Sequence, residues 1–292
     1  MIVEDAVSPK AGYASPIPVR RTHLGDALAS EWTKIRSVRS TMWTLGVMLV
    51  LVIGVGALTA ASRTDSIYVD DPLSGAFAGL VLGQVCIVTL GVLVVTSEYS
   101  TGMVRTTFTA CPQRVRVLAA KGIVFFGLAF GLTAVAATLA ALINYAAVST
   151  EEPPIVYDGD PVDMPHYHEY GSESVTTGDW LGATVGASLY VALLGLLAVG
   201  VGALLRHTAG AITTMLGFLL LPLVIGVFVQ ASGSQDLAEN LIEYSPLNGL
   251  ASLYGIPMEG SADNGWTLLI LLAAVTAAVL GFAASVMSKR DV

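Results

Sequence analysis

Long runs of apolar residues dominate this chain and alternate with short polar or charged segments. Each run covers about twenty residues or more, enough at about 1.5 Å per helical residue to cross the roughly 30 Å hydrocarbon core of a bilayer. None contains Lys, Arg, Asp or Glu, each of which costs about 2.5–3.5 kcal/mol at mid-membrane. We therefore predict an all-α integral membrane protein whose six transmembrane helices lie at about residues 42–61, 75–97, 122–148, 181–205, 210–230 and 266–288.

Charged residues are divided unequally between the two sets of loops. All 14 Lys and Arg residues except Arg63 precede the first span, follow the last, or lie between spans two and three or spans four and five. Because basic residues are retained on the cytoplasmic side, both termini are predicted to be cytoplasmic. Most acidic residues lie in the loops on the other side of the membrane, so the chain's net charge of −8 combines a basic inner surface with an acidic outer surface. A composition of 54% hydrophobic and 12% charged residues excludes a soluble globule and a disordered chain, and we expect no nucleic-acid partner.

Before the first span the chain divides into two parts, and residues 41–292 form the transmembrane domain. Residues 1–21 carry three prolines and no apolar core, which predicts a flexible cytoplasmic tail. Residues 22–40 show helical periodicity, with an apolar stripe that includes Trp32 and basic residues beside it. This pattern is typical of an amphipathic helix lying at the headgroup level of the membrane. A helical extension of the first span is the alternative.

The second span begins with a glycine at every fourth position, Gly75, Gly79 and Gly83, and Gln84 follows directly. Small residues at this spacing let two helix backbones approach closely inside a membrane. The stripe predicts either helix packing within one chain or a dimer interface. Gln84 is an amide well inside a span, where it can join two helices or line a path for a transported molecule.

Residues 231–264, between the last two spans, are too long for a plain turn. Two moderately apolar segments, 237–244 and 247–254, are separated by Ser245 and Pro246. They predict two short helices that re-enter the outer leaflet before the last span.

The usual signs of catalysis or of energy coupling are missing from the sequence. No lysine follows a glycine, so the phosphate-binding loop of an ATPase is absent, and no span carries the charged residues of a proton-coupled transporter. His166, His168 and Glu169 lie in an acidic outer loop without a fixed metal-ligand spacing, and we predict no metal site there. The chain is therefore not expected to be an enzyme or to bind a cofactor itself.

The most informative cytoplasmic segment lies between spans two and three. Residues 101–110 can form a short helix with Val104 and Phe108 on one side, ended by Pro112. An exposed apolar face of this kind needs a partner to cover it. The face could instead pack on the chain's own helix at residues 22–40.

The pattern Glu98-x3-Gly102-x2-Arg105-x6-Pro112-x-Arg114-x6-Lys121, together with Glu31-Trp-Thr-Lys-Ile-Arg-Ser before the first span, resembles the permease subunits of type-2 ABC transporters, especially those of actinobacteria. The resemblance covers about forty positions in sequence and the whole chain in topology. It implies a bacterial cytoplasmic membrane, a second permease subunit (identical or different), and a cytosolic ATPase that binds ATP and Mg.

The same resemblance assigns roles to residues of the loop. Gly102, Val104, Arg105 and Phe108 would contact the ATPase through a coupling helix. Glu98 would hold the start of the loop at the membrane, and Pro112 with Arg114 would set the direction in which the chain leaves it.

The leading function is therefore that of a permease which exports a hydrophobic or amphipathic compound, such as a drug, antibiotic, lipid or peptide. Two alternatives stay open. One is a facilitator or channel that works without ATP, and the other is a membrane scaffold that recruits cytosolic proteins and transports nothing.

Overall fold

The computed structural model describes residues 23–62, 72–103, 114–149, 175–258 and 265–289, and these form helices and short connections with no strand among them. Six of the helices are long and apolar enough to cross a membrane. The chain is thus a multi-pass helical membrane protein.

The six long helices coincide closely with the six predicted spans. They are α2 (Arg39–Ser62), α3 (Gly75–Ser100), α4 (Arg114–Ser149), α5 (Thr177–Leu205), α6 (Thr208–Ala231) and α9 (Trp266–Lys289). The largest difference is at α4, which begins eight residues before the predicted span at residue 122. The prediction stopped where the charges begin, but Arg and Lys are good helix formers, so the helix continues through Lys121.

Within the described residues, three shorter helices accompany the spans. Helix α1 (Leu24–Ser37) precedes α2, and α7 (Gln235–Glu243) and α8 (Pro246–Leu253) lie between α6 and α9. Every residue of α8 is buried, and its first turn is capped by the Ser245 hydroxyl, which accepts from the Asn248 backbone N–H. Whether α7 and α8 re-enter the membrane stays a prediction.

Helices α3 and α5 form the centre of the bundle and are its most buried spans. Helix α4 packs against both of them and α2 packs against α3, α9 packs on α5, and α6 lies at the periphery with α7 against it. Small residues permit the central contacts. A Cβ at Gly79 would lie 2.5 Å from the carbonyl oxygen of Val52 in α2, and a Cβ at Gly91 would overlap the Gly195 carbonyl oxygen in α5.

Candidate functional site

Helix α1 lies at the end of the bundle where α3 ends and α4 begins, which we call the α1 end. Val38, with φ −86° and ψ 111°, separates α1 from α2, so α1 does not simply continue the first span. Helix α1 packs mainly on α4. The side chains of Glu31 and Ile35 are buried, whereas Trp32 stays about half exposed. Helix α1 therefore presents a carboxylate to the interior of the bundle.

Glu31 belongs to a compact group of four charged side chains, with Lys34, Glu98 and Lys121, which we call the ion cluster. The Lys121 ammonium donates to Glu31 at 2.6 Å and to Glu98 at 3.0 Å, and the Lys34 ammonium donates to the same carboxylates at 2.7 and 2.9 Å. Glu31, Glu98 and Lys121 are all buried. The cluster is electrically neutral and joins α1, α3 and α4 at one point.

Charge pairing dominates the electrostatics of Lys34, which lies outside the spans. Burial of its ammonium disfavours the charged form, but hydrogen bonds to Glu31 and Glu98 outweigh that effect, and the pKa of Lys34 is raised. Lys34 therefore stays charged throughout the physiological pH range. Its side chain is 29% exposed, so it forms the solvent-facing side of the cluster.

The end of α3 is also attached to the turn between α5 and α6. The Arg206 guanidinium lies over the Tyr99 ring, 5.2 Å from its centroid. The Thr208 hydroxyl donates to the Thr96 hydroxyl at 3.0 Å. Arg206 has a positive φ of 53°, which is uncommon outside glycine and fixes this turn in a left-handed conformation. Thr96, Glu98 and Tyr99 thus connect the end of α3 to α1, α4 and the α5–α6 turn.

Gly102 forms the exit from α3 into the predicted coupling segment. Its φ is +72°, and its N–H donates to the Tyr99 carbonyl at 3.3 Å. A glycine in this left-handed conformation commonly ends a helix because it carries no Cβ. The direction in which the chain leaves α3 is therefore fixed by backbone geometry at Gly102.

Of the residues that the resemblance assigns to the coupling segment, the structure describes Glu98 and Gly102 fully, and Arg114 as the first backbone position of α4. Val104, Arg105, Phe108 and Pro112, and with them the predicted coupling helix, lie outside the described residues.

The glycine stripe of α3 faces other helices of the same chain. Gly79 and Gly83 lie against Val52 of α2, and Gly75 lies against the Asn144 side chain of α4. Gln84 is fully buried, and among the described residues neither its Oε1 nor its Nε2 has a hydrogen-bond partner. The stripe thus mediates contacts between α2, α3 and α4.

A cavity of about 240 Å³ opens beside the ion cluster, between α1, α2 and α3. The cluster forms its charged end, while Leu90, Leu93 and Val94 of α3 line its other end. Eight helical residues separate Leu90 from Glu98, which corresponds to about 12 Å along the axis of α3. The cavity could hold the polar head of an amphipathic molecule with its apolar part directed toward mid-membrane.

Sequence reasoning missed the ion cluster, although a weak signal was present. Glu31 and Lys34 are three residues apart, so they lie on one helix face. Glu98 and Lys121 directly flank two consecutive predicted spans, 75–97 and 122–148, and antiparallel helices bring such positions to similar depth. A second missed group is Asn144, whose amide donates to the Gly56 and Ala140 carbonyls at 2.9 Å each.

No protein-family model matches the chain, and no curated protein matches its sequence. The described residues contain no group of three or more His, Cys, Asp or Glu side chains placed to hold a metal ion.

Proposed function

We propose that the chain is the membrane-spanning permease subunit of an ATP-binding cassette transporter that exports a hydrophobic or amphipathic compound. In this proposal the α1 end faces the cytoplasm of a bacterial cell, both termini lie there, and a second permease subunit completes the transporter. A separate ATPase hydrolyses ATP and presses on the segment between α3 and α4.

The observation that carries the proposal is the set of attachments at the two ends of that segment. Glu98, at the end of α3, is held by Lys34 of α1 and Lys121 of α4. The neighbouring Tyr99 is held by Arg206 at the α5–α6 turn. A force on residues 104–113 would therefore reach several spans together, as a transporter driven by an external ATPase requires.

The cavity beside the ion cluster supports an amphipathic cargo. It combines charged groups at the α1 end with an apolar wall farther along α3. An amphipathic molecule that enters from the same leaflet would place its polar head against the charged side chains and its apolar part against this wall.

An uncoupled facilitator is the second candidate, and one observation favours it. The Gln84 amide and the Thr133 hydroxyl are buried in the spans and have no hydrogen-bond partner in the part of the chain that the structure describes. Unsatisfied polar atoms of this kind are costly inside a membrane and are often satisfied by water or by a passing polar molecule.

The first experiment is purification of the chain from native membranes in mild detergent, with identification of accompanying proteins by mass spectrometry. We expect a stoichiometric partner that carries a phosphate-binding loop. Phe108→Asp should remove it, because a charge would be placed in an apolar contact. Ser288→Asp adds the same charge at an exposed position in the last turn of α9, at the same end, and should retain the partner.

Other results would contradict the proposal. A Phe108→Asp variant that assembles and transports fully would exclude docking through this segment. A chain that purifies alone and conducts flux in ATPase-free proteoliposomes would be a facilitator. A chain that purifies alone without flux would be a scaffold.

A further inference from the structure

A basic groove opens at the bend between α1 and α2. It is lined by Arg36, Ser37, Arg39, Met42, Trp43 and Gly46 and has a volume of about 390 Å³. We call it the elbow groove. Its two arginines come from different helices, Arg36 from the last turn of α1 and Arg39 from the first position of α2.

The shape of the elbow groove follows from the bend at Val38 and from a missing side chain. The extended backbone of Val38 interrupts the helix between α1 and α2, and on the groove side of α2 the side chains of Met42 and Trp43 are exposed. A Cβ at Gly46 would meet nothing within 4 Å, so the floor of the groove is open at this point. Trp43 is 76% exposed and forms one wall.

The basic residues of this region differ in how their charge is balanced. Lys34 is neutralised by Glu31 and Glu98 in the ion cluster. Arg36 and Arg39 form no ion pair with any carboxylate of the described residues, and Arg39 also lies at the N-terminus of a long helix, where the backbone adds partial positive charge. The elbow groove is therefore positive, while the cluster beside it is neutral.

The groove continues from its basic end into the apolar surface of the first span. Gly46 is seven residues beyond Arg39, about 10 Å farther along the helix. The exposed side chains of Met42 and Trp43 line the surface between Arg39 and Gly46. A soluble anion would use the arginines alone, whereas a phospholipid would use both the arginines and this apolar wall.

We propose that the elbow groove binds an anionic phospholipid from the leaflet at the α1 end. The phosphate lies between the Arg36 and Arg39 guanidinium groups, whose planar donor pairs match phosphate oxygens. The Ser37 hydroxyl lies beside the headgroup, and an acyl chain follows Met42 and Trp43 past Gly46. Such a lipid would fix the angle between α1 and α2 and, through α1, the position of Glu31.

The test uses Trp43 as the reporter of lipid in the groove. Trp32, Trp180 and Trp266 are changed to Phe, and the full chain is reconstituted in phosphatidylcholine vesicles that contain acyl-brominated phosphatidylglycerol or acyl-brominated phosphatidylcholine. Quenching of Trp43 gives the preference for the anionic lipid. Each arginine near the surface contributes roughly fivefold, so we expect a preference of roughly 25-fold.

Arg36→Gln/Arg39→Gln should reduce this preference to about that of the bulk lipid surface. Lys289→Gln/Arg290→Gln removes the charge of Lys289, which does not line the groove, and that of the next residue in sequence, and should retain the preference. Equal quenching by both lipids in the parent protein would overturn the proposal. A preference that survives in Arg36→Gln/Arg39→Gln would also overturn the proposal, because the preference would then arise elsewhere. A preference that both double variants abolish would overturn it as well, because the preference would then arise from surface charge in general.

Discussion

Replacing Lys121 by Met removes the most buried cation of the ion cluster and keeps most of its apolar stem. The Lys121 side chain is 5% exposed, and its ammonium lies 2.6 Å from Glu31 and 3.0 Å from Glu98. In the variant, two buried carboxylates share the single ammonium of Lys34. The variant therefore leaves negative charge uncompensated in the interior, rather than only deleting a contact.

The expected loss is large for one substitution. Breaking a buried ion pair by removing one partner costs about 3–5 kcal/mol, because a desolvated charge is left behind. Lys34 stays 2.7 Å from Glu31 and 2.9 Å from Glu98, which compensates part of that charge. We therefore expect the free energy of unfolding of Lys121→Met to fall by about 3 kcal/mol, at the lower end of that range.

The measurement is a denaturant titration of the purified chain in mixed micelles, followed by circular dichroism. Lys289→Met removes an exposed lysine at the same end and should cost less than about 1 kcal/mol. Glu31→Gln/Lys121→Met restores charge balance and should recover part of the loss. If Lys121→Met costs no more than Lys289→Met, the buried cluster does not stabilise the junction of α1, α3 and α4.

Two further predictions test the contacts of α3 and the charge of Lys34. Gly79→Val should lower the free energy of unfolding by about 1–3 kcal/mol, because its Cβ would lie 2.5 Å from the Val52 carbonyl oxygen. At Gly127 a Cβ would meet nothing within 4 Å, so Gly127→Val should change the free energy of unfolding by less than about 0.5 kcal/mol. Equal losses for the two variants in the same titration would contradict the assigned α2–α3 contact. Because the pKa of Lys34 is raised in the folded state, its stabilising contribution is complete below its ordinary value of 10.5 and is lost as the pH rises through the higher folded-state value. The difference in unfolding free energy between wild type and Lys34→Gln should therefore be constant from about pH 7 to about pH 9 and shrink above 10.5, and a difference that already shrinks below about pH 9 would contradict the pairing of Lys34.

The spans could be predicted from sequence because their signal is local. A segment inside hydrocarbon must satisfy its own backbone hydrogen bonds and exclude charge, so about twenty uncharged apolar residues in succession suffice to identify a helix. The ends of α3 and α9 accordingly differ from the predicted ends by only a few residues. The start of α4 differs more because Lys121 is a charged residue inside the helix whose charge is neutralised by distant partners.

The ion cluster could not be predicted in the same way, because it depends on tertiary arrangement. Lys121 is 90 residues from Glu31 in sequence and 23 from Glu98. The pairing requires α1 to fold back against α4, which depends on the bend at Val38 rather than on any periodicity. The glycine patterns have the same limitation. Gly79 and Gly127 each belong to a four-residue spacing, but of these two only Gly79 lies where an added Cβ would meet a neighbouring helix.

These cases have a common physical cause, which also indicates where function should be sought in such a chain. In a soluble protein, an apolar stripe marks the helix face that is buried in the protein. In a membrane, lipid tails are as apolar as leucine, so apolar residues do not distinguish the helix face that contacts protein from the face that contacts lipid. Trp32 and Trp43 are accordingly exposed, while Glu31, Gln84 and Lys121 are buried. Small and polar residues are therefore better indicators of helix contacts than apolar ones. Most of the buried charge lies at the junction of α1, α3 and α4, which is also where the predicted coupling segment begins. The Lys121→Met variant therefore tests whether this junction stabilises the fold and, when ATPase activity and transport are measured on the same variant, whether it also couples the two.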